Sequence, residues 1–212
     1  CMYGFGPDGT VSSPVPVPKP NMPCRPLAML RHPLNVISGS LSAYNFENED
    51  FLYEDPKYRH IAVRDNRPTD KVSFYQANFE HASSEANMEI VNAHNVAIYS
   101  FKSEGEWRDL YTAGGTHSPC VSVWIHNSSS VHIFSHGGNA RPPKSGTSYP
   151  PAFAQYPPSL YRITGGSCDI ILTNLVDQFQ FGEFDWNMVY DETGKGTLSP
   201  PCDRPVLYTR QC

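Results

Sequence analysis

The chain has 212 residues, with 16 Lys plus Arg against 21 Asp plus Glu, a formal net charge of −5. This length fits one domain or a little more around a sizeable core, and the charge, with no dense basic block, argues against a nucleic-acid-binding surface. No apolar run reaches the roughly 20 residues that cross a bilayer, while 20 prolines and only 17% charged residues disfavour long helices and favour many short strands.

Residues 1–40 are Pro-rich (VSSPVPVPKPNMPCRP) and read as an extended arm. The chain opens on Cys1 with no basic, apolar, small-residue leader, which predicts a processed product, a fragment or a partly read sequence, with any export signal already gone. The acidic stretch ENEDFLYED, Glu47 to Asp55, offers oxygen ligands for calcium but lacks EF-hand spacing, and reads as a solvated loop.

Four segments then come into register: KVSFYQANFE from Lys71, NVAIYSFKSE from Asn95, SVHIFSHGGN from Ser130 and DIILTNLVDQ from Asp169. Val72, Val96, Val131 and Ile170 form one column, and Phe74, Ile98, Ile133 and Leu172 form another two residues on, which is strand alternation repeated four times. Each unit carries an earlier apolar pair: Ile61 and Val63, Met88 and Ile90, Val123 and Ile125, Tyr161 and Ile163. Polar turns such as NAHN at Asn92 and NSSS at Asn127 separate the paired strands. Val72 and Val96 are 24 residues apart, close to one coil of a parallel β-solenoid, while the next two spacings are 35 and 39. The excess is expected to loop out at Lys102 to Pro119 and at Ala140 to Pro158, on one side of the stem.

From Gly182 onward the sequence reads as a hairpin turning at Thr193 to Gly196, then a closing strand at Val206 to Tyr208 that caps the open end. The expected organisation is an arm over 1–40, parallel β-helix coils over 41–190, and a carboxyl-terminal cap and tail over 191–212. Six cysteines without a CxxC pair favour disulfides over zinc and point outside the cytosol. Of the fifteen possible sets we take Cys1–Cys24, Cys120–Cys168 and Cys202–Cys212 as the expected one. Asn127-Ser128-Ser129 is a glycosylation sequon, which agrees with secretion.

The segments FYQANFEHASSEANMEI, NVAIYSFKSEG, VWIHNSSSVHIFSHGGNA, YPPSLYRI and DRPVLYTR resemble the carboxyl-terminal half of secreted right-handed β-helix proteins of the pectate-lyase and polygalacturonase-like superfamily, over roughly Tyr58 to Arg210. The resemblance implies an all-β, right-handed parallel β-helix. It also implies an extracellular protein, in the secreted space or the cell wall or matrix, that acts on or binds a polysaccharide along an outward face. Neither a pectate-lyase calcium cluster nor the neighbouring aspartates of a polygalacturonase are present, and coils upstream, from the same precursor or another chain, are expected.

The gap-free alignment places Glu80, Glu104, Asn139 and Gln178 in one column. With coils about 4.8 Å apart, Glu80 and Glu104 would approach the roughly 5–5.5 Å of a retaining glycosidase pair, one as acid and one as nucleophile or base. A polar ladder is the other reading of that column. Lys102 and His136 lie near it and would serve a lyase, one removing a proton and the other neutralising a uronate carboxylate; an exposed charge and a turn cap are their plainer readings. Tyr75, Tyr99 and Phe134 form an outward column just before the bend positions Gln76, Ser100, Ser135 and Asn174, read first as a structural aromatic ladder.

Trp107 and Trp186 are candidate sugar platforms. The leading expectation is a glycoside hydrolase-like protein with Glu80 and Glu104 catalytic and Tyr99, Lys102, Trp107, His136 and Asn139 binding substrate. The rival is a noncatalytic glycan-binding or matrix component. No metal or cofactor is expected: the histidines lack HExxH or paired spacing, and GxSxG and GxGxxG do not occur in usable context.

Overall fold

In the computed structural model, residues 34–37, 39–48, 58–80, 85–106, 121–141, 156, 159–177, 187–194 and 206–212 are described. Among them every regular element is a strand: β1 (Leu34–Val36), β2 (Leu41–Tyr44), β3 (Glu47–Asn48), β4 (Ile61–Arg64), β5 (Val72–Tyr75), β6 (Asn78–Glu80), β7 (Ala86–Val91), β8 (His94–Glu106), β9 (Val121–His126), β10 (Ser129–Arg141), β11 (Ser159–Thr164), β12 (Cys168–Asp177), β13 (Asn187–Asp191) and β14 (Val206–Arg210). The chain alternates between two sheets, with β1, β4, β7, β9, β11 and β13 side by side in one and β2, β5, β8, β10, β12 and β14 in the other. Short β6 continues the second sheet along β8, and β3 pairs with β6. Among the described residues every pairing is parallel except that of β12 with β14. Each passage of chain therefore lies against the one before it.

The hydrophobic columns stack as their spacing predicts. Val72 pairs with Val96, Val96 with Val131 and Val131 with Ile170, and Phe74, Ile98, Ile133 and Leu172 follow in the same register. In the first sheet Ile61, Met88, Val123 and Tyr161 form one file and Val63, Ile90, Ile125 and Ile163 the next. Leu34 and Val36 extend these files at one end, Val189 and Asp191 at the other. The apolar members are buried together between the sheets, and each large side chain so buried contributes about 1.5–3 kcal/mol relative to exposure. Alternation supplies the inward files, and β-branched residues suit the pleat.

Corners fall in columns of left-handed backbone. Asp65, Asn92 and Asn127 have φ of 52°, 49° and 45°, and Gly165 has 67°. Their amides stay bonded to the next level, with Asp65 N to Val91 O, Asn92 N to His126 O and Asn127 N to Thr164 O each 3.1 Å. Asn and Asp tolerate this conformation best among residues bearing a Cβ. Side chains continue the file: Asn127 Nδ2 donates to Asn92 Oδ1 at 2.7 Å and Asn92 Nδ2 to Asp65 Oδ1 at 3.0 Å. The sequon residue Asn127 is thus an exposed member of a polar ladder.

Three expectations need correcting. Leu34–Val36, inside the stretch read as an arm, is already a sheet strand; residues 1–33 lie outside the described residues. Strand β8 continues through Glu106 and β10 through Arg141, so the extra chain begins later than Lys102 and Ala140. The return arm of the hairpin expected after Gly196 lies outside the described residues. β13 pairs with β11 in the first sheet, whereas β14, the expected closing strand, pairs antiparallel with β12 in the second.

Finally, the disulfide joins Cys168 to Cys212, with Cα atoms 4.6 Å apart, which replaces Cys120–Cys168 and Cys202–Cys212 because a cysteine forms only one such bond. The antiparallel register is the reason: it sets Ile170 opposite Arg210, and two residues outward on each strand are Cys168 and Cys212. Cys1, Cys24, Cys120 and Cys202 lie outside the described residues.

Asp191 ties the two last strands together. It accepts hydrogen bonds from Tyr208 Oη at 2.7 Å and Arg210 Nη1 at 2.8 Å. Burial works to raise its pKa, but the bonds from Tyr208 and Thr193 and the charge of Arg210 outweigh it, leaving the pKa below the usual carboxylate value.

Candidate functional site

A second corner shapes the outward surface of the second sheet. Asn45, Gln76, Ser100 and Ser135 occupy equivalent positions with φ of 52°, 54°, 52° and 63°. Each such residue inserts a bend into an otherwise alternating strand, so the residues on either side of it, which simple alternation would put on one face, fall on opposite faces. Tyr75, Tyr99 and Phe134 are partly exposed, while Ala77, Phe101 and His136 two residues later are buried. Beyond the bend, Asn78 and Lys102 return to the outside.

The result is a shallow open depression of about 540 Å³ running along the stack, lined by Gln76 to Asn78, Ser100 to Lys102 and Ser135 to Gly137. Its lining includes the amides of Gln76 and Asn78 and the hydroxyls of Ser100 and Ser135, but most of its accessible surface is apolar. Glu80 lies just beyond on β6, paired in register with Glu104 of β8, and Asn139 of β10 pairs with Glu104 in turn. The predicted column is therefore real as a row of backbone positions, and Gln178 lies outside the described residues. Glu80 is buried, and its carboxylate forms an ion pair with Lys102, whose side chain is 53% exposed. The backbone carbonyl of Glu80 accepts a 2.6 Å hydrogen bond from His60 Nε2, so in the neutral tautomer His60 Nδ1 accepts from Tyr58 Oη at 3.0 Å.

Two expected substrate contacts are corrected. His136 contributes backbone to the depression, but its ring is buried in the core, stacked on Phe101 at 4.4 Å and edge-on to Tyr161 at 5.5 Å. Tyr161 Oη lies 2.6 Å from His136 Nδ1, and Nε2 faces the Ser103 carbonyl without a hydrogen bond of good geometry. Burial pushes the His136 pKa down to about 4, which that carbonyl only partly opposes, so the ring is neutral at pH 7. The bend at Ser135 turns it inward.

Tyr99 is outward, but its ring lies between Tyr75 at 5.0 Å and Phe134 at 5.1 Å, with interplanar angles of 8° and 11°. With both faces covered, it has no face left for a sugar ring. Tyr44 extends this ladder, 4.7 Å from Tyr75. Trp107 and Trp186 lie outside the described residues.

The sequence reading missed a second outward row, on the first sheet. Glu89, Trp124, Arg162 and Tyr190 are register partners between the two core files. Arg59 Nε donates to Glu89 at 2.7 Å and its Nη2 to Glu85 at 3.2 Å, while Arg64 pairs with the other Glu89 oxygen. The Arg162 guanidinium sits 4.7 Å from the Tyr156 ring and 5.3 Å from that of Trp124. Trp124 Nε1 donates to Thr164 Oγ1 at 2.8 Å. Arg59, Glu89 and Arg162 are all buried. The available signal was that each strand here places its polar or aromatic residue between two apolar file positions.

The chain matches no family model, and no curated protein or solved structure matches it at a significant level. The architecture supports an all-β protein with parallel sheets, compatible with a β-helix-like fold. Among the described residues no helix is long and apolar enough to cross a membrane.

Proposed function

We propose that this chain is a right-handed parallel β-helix of the pectate-lyase and polygalacturonase-like kind, that it works outside the cytosol, and that it binds a neutral polysaccharide along the bend depression. The single observation carrying this reading is the depression itself. It spans three levels of the stack, is open, and holds exposed Gln76 and Ser100 beside partly exposed Asn78 and Ser135, whose amide and hydroxyl groups can exchange hydrogen bonds with sugar hydroxyls while the largely apolar lining meets the sugar's C–H faces. Lys102 supports a neutral rather than an acidic sugar because Glu80 takes up its charge. That pairing, with His136 turned into the core, weighs against lyase chemistry. The Cys168–Cys212 disulfide fits an oxidising compartment.

One observation favours a hydrolytic version of the same reading: Glu80 and Glu104 are in-register neighbours on parallel strands. In that version one of the two serves as acid and the other as nucleophile or base. Affinity electrophoresis against neutral and acidic soluble polysaccharides, run beside a reducing-end assay, tests both versions. Retardation by a neutral polymer, weakened by Asn78→Ala and Ser100→Ala, supports binding. Turnover lost in both Glu80→Gln and Glu104→Gln supports hydrolysis, and turnover unchanged in both removes the pair. Retention by no glycan at all overturns the proposal.

A further inference from the structure

Three tyrosines from successive levels, Tyr44, Tyr75 and Tyr99, form a continuous outward stack with ring centroids 4.7 Å and 5.0 Å apart and planes within 10° of parallel. Tyr44 is 43% exposed and lies on β2, the last strand of its sheet among the described residues. Tyr75 and Tyr99 are partly exposed, and Phe134, the fourth ring, ends the phenol series. By contrast Tyr58, Tyr161 and Tyr208 are buried. Phenols at solvent with a neighbouring phenol already in van der Waals reach are arranged for radical coupling, because the partner is delivered at high effective concentration.

We propose that this column is an oxidative modification site, at which hydrogen peroxide acting through a haem peroxidase couples Tyr44 to Tyr75 as an intramolecular dityrosine, with Tyr75 to Tyr99 as the second pair. Each phenol gives up one electron and its hydroxyl proton. The two radicals join through ring carbons ortho to oxygen, and the two ortho hydrogens then shift to the oxygens, restoring both phenols. Peroxide takes up the two electrons and two protons and leaves as two waters. The rings must slide and fold together to bond, which the edge position of β2 and the solvent-facing ring edges permit. Such a bond would lock the first two levels of the second sheet covalently.

The folded protein is treated with a haem peroxidase and limiting peroxide, then followed by dityrosine fluorescence, intact mass and peptide mapping. The expected product is a monomer lighter by two hydrogens, with Tyr44 joined to Tyr75. Tyr75→Phe, which keeps the stack but removes the shared phenol, is expected to cut the intramolecular yield by about tenfold, in line with the loss of a positioned partner. Tyr58→Phe serves as the buried control and is expected to leave the yield unchanged. A yield undiminished by Tyr75→Phe, cross-links chiefly between chains, or an equal intramolecular yield from the urea-unfolded protein would each overturn the assignment.

Discussion

The two outward surfaces of this molecule are built from the same kind of position, the residues that alternate with core files, yet they end in opposite states. On the first sheet Arg59, Glu89 and Arg162 are buried among ion pairs and the rings of Trp124 and Tyr156. At the bend of the second sheet Gln76 and Ser100 are exposed, and Lys102 meets Glu80 at the rim of an open depression. The difference teaches that alternation decides which side chains point away from the core, whereas what lies over them decides whether those side chains act as structure or face a ligand.

Charge removal should separate the two surfaces most sharply. Glu89→Ala removes the buried carboxylate that Arg59 and Arg64 share and leaves Arg59 with Glu85 as its carboxylate partner, and is expected to cost about 3 kcal/mol, the lower end for a broken buried pair. Glu80→Gln replaces a carboxylate that is itself buried, but its partner Lys102 has a side chain 53% exposed that can turn to water, so its cost should be smaller, about 1–2 kcal/mol. Urea unfolding of both variants checks this, and equal losses would erase the distinction between the surfaces.

A smaller effect is expected from acid. The unfolded chain protonates His136 near its ordinary value of 6.5, whereas the folded chain does so only near pH 4. The unfolded state therefore binds more protons between these limits. Stability is full above pH 6.5 and falls as the pH drops toward 4, by up to about 1.4 kcal/mol per pH unit. Unfolding measured across that window should show a flatter slope in His136→Gln than in the parent, and parallel slopes would show that the ring behind the depression is not buried as a neutral group.

The smallest change concerns the ladder beside the depression. Tyr99→Phe keeps both ring contacts and should be nearly silent, while Tyr99→Ala should lose about 0.5–1.5 kcal/mol beyond its buried area. Polysaccharide retention should be equal in the parent and Tyr99→Phe, and a Tyr99→Ala protein that unfolds no more easily than Tyr99→Phe would show that the stack adds nothing.

Much of the fold was legible because the strand period is short and repeats. Val72, Val96, Val131 and Ile170 mark one file without any structural help, and the residues after Tyr75, Tyr99 and Phe134 were correctly read as bends. The site was harder to read for a related reason. A bend residue shifts the alternation by one, so His136, placed outside by simple counting, belongs to the core. Tyr99 points outward as expected, but only the interplanar geometry shows that both its faces are taken. The Cys168–Cys212 pair depends on β14 running antiparallel, which no local feature of Val206 to Arg210 encodes.

The sequence by itself determined the inward files, their register and the polar corners, because these follow from periodicity and from the few residue types that tolerate left-handed backbone. Only the tertiary structure decided which carboxylate met which cation, which rings covered each other and how β14 paired with β12. Those outcomes depend on side chains brought together from different levels, separated by lengths of chain that vary from one level to the next, and no repeat in the sequence records such distances.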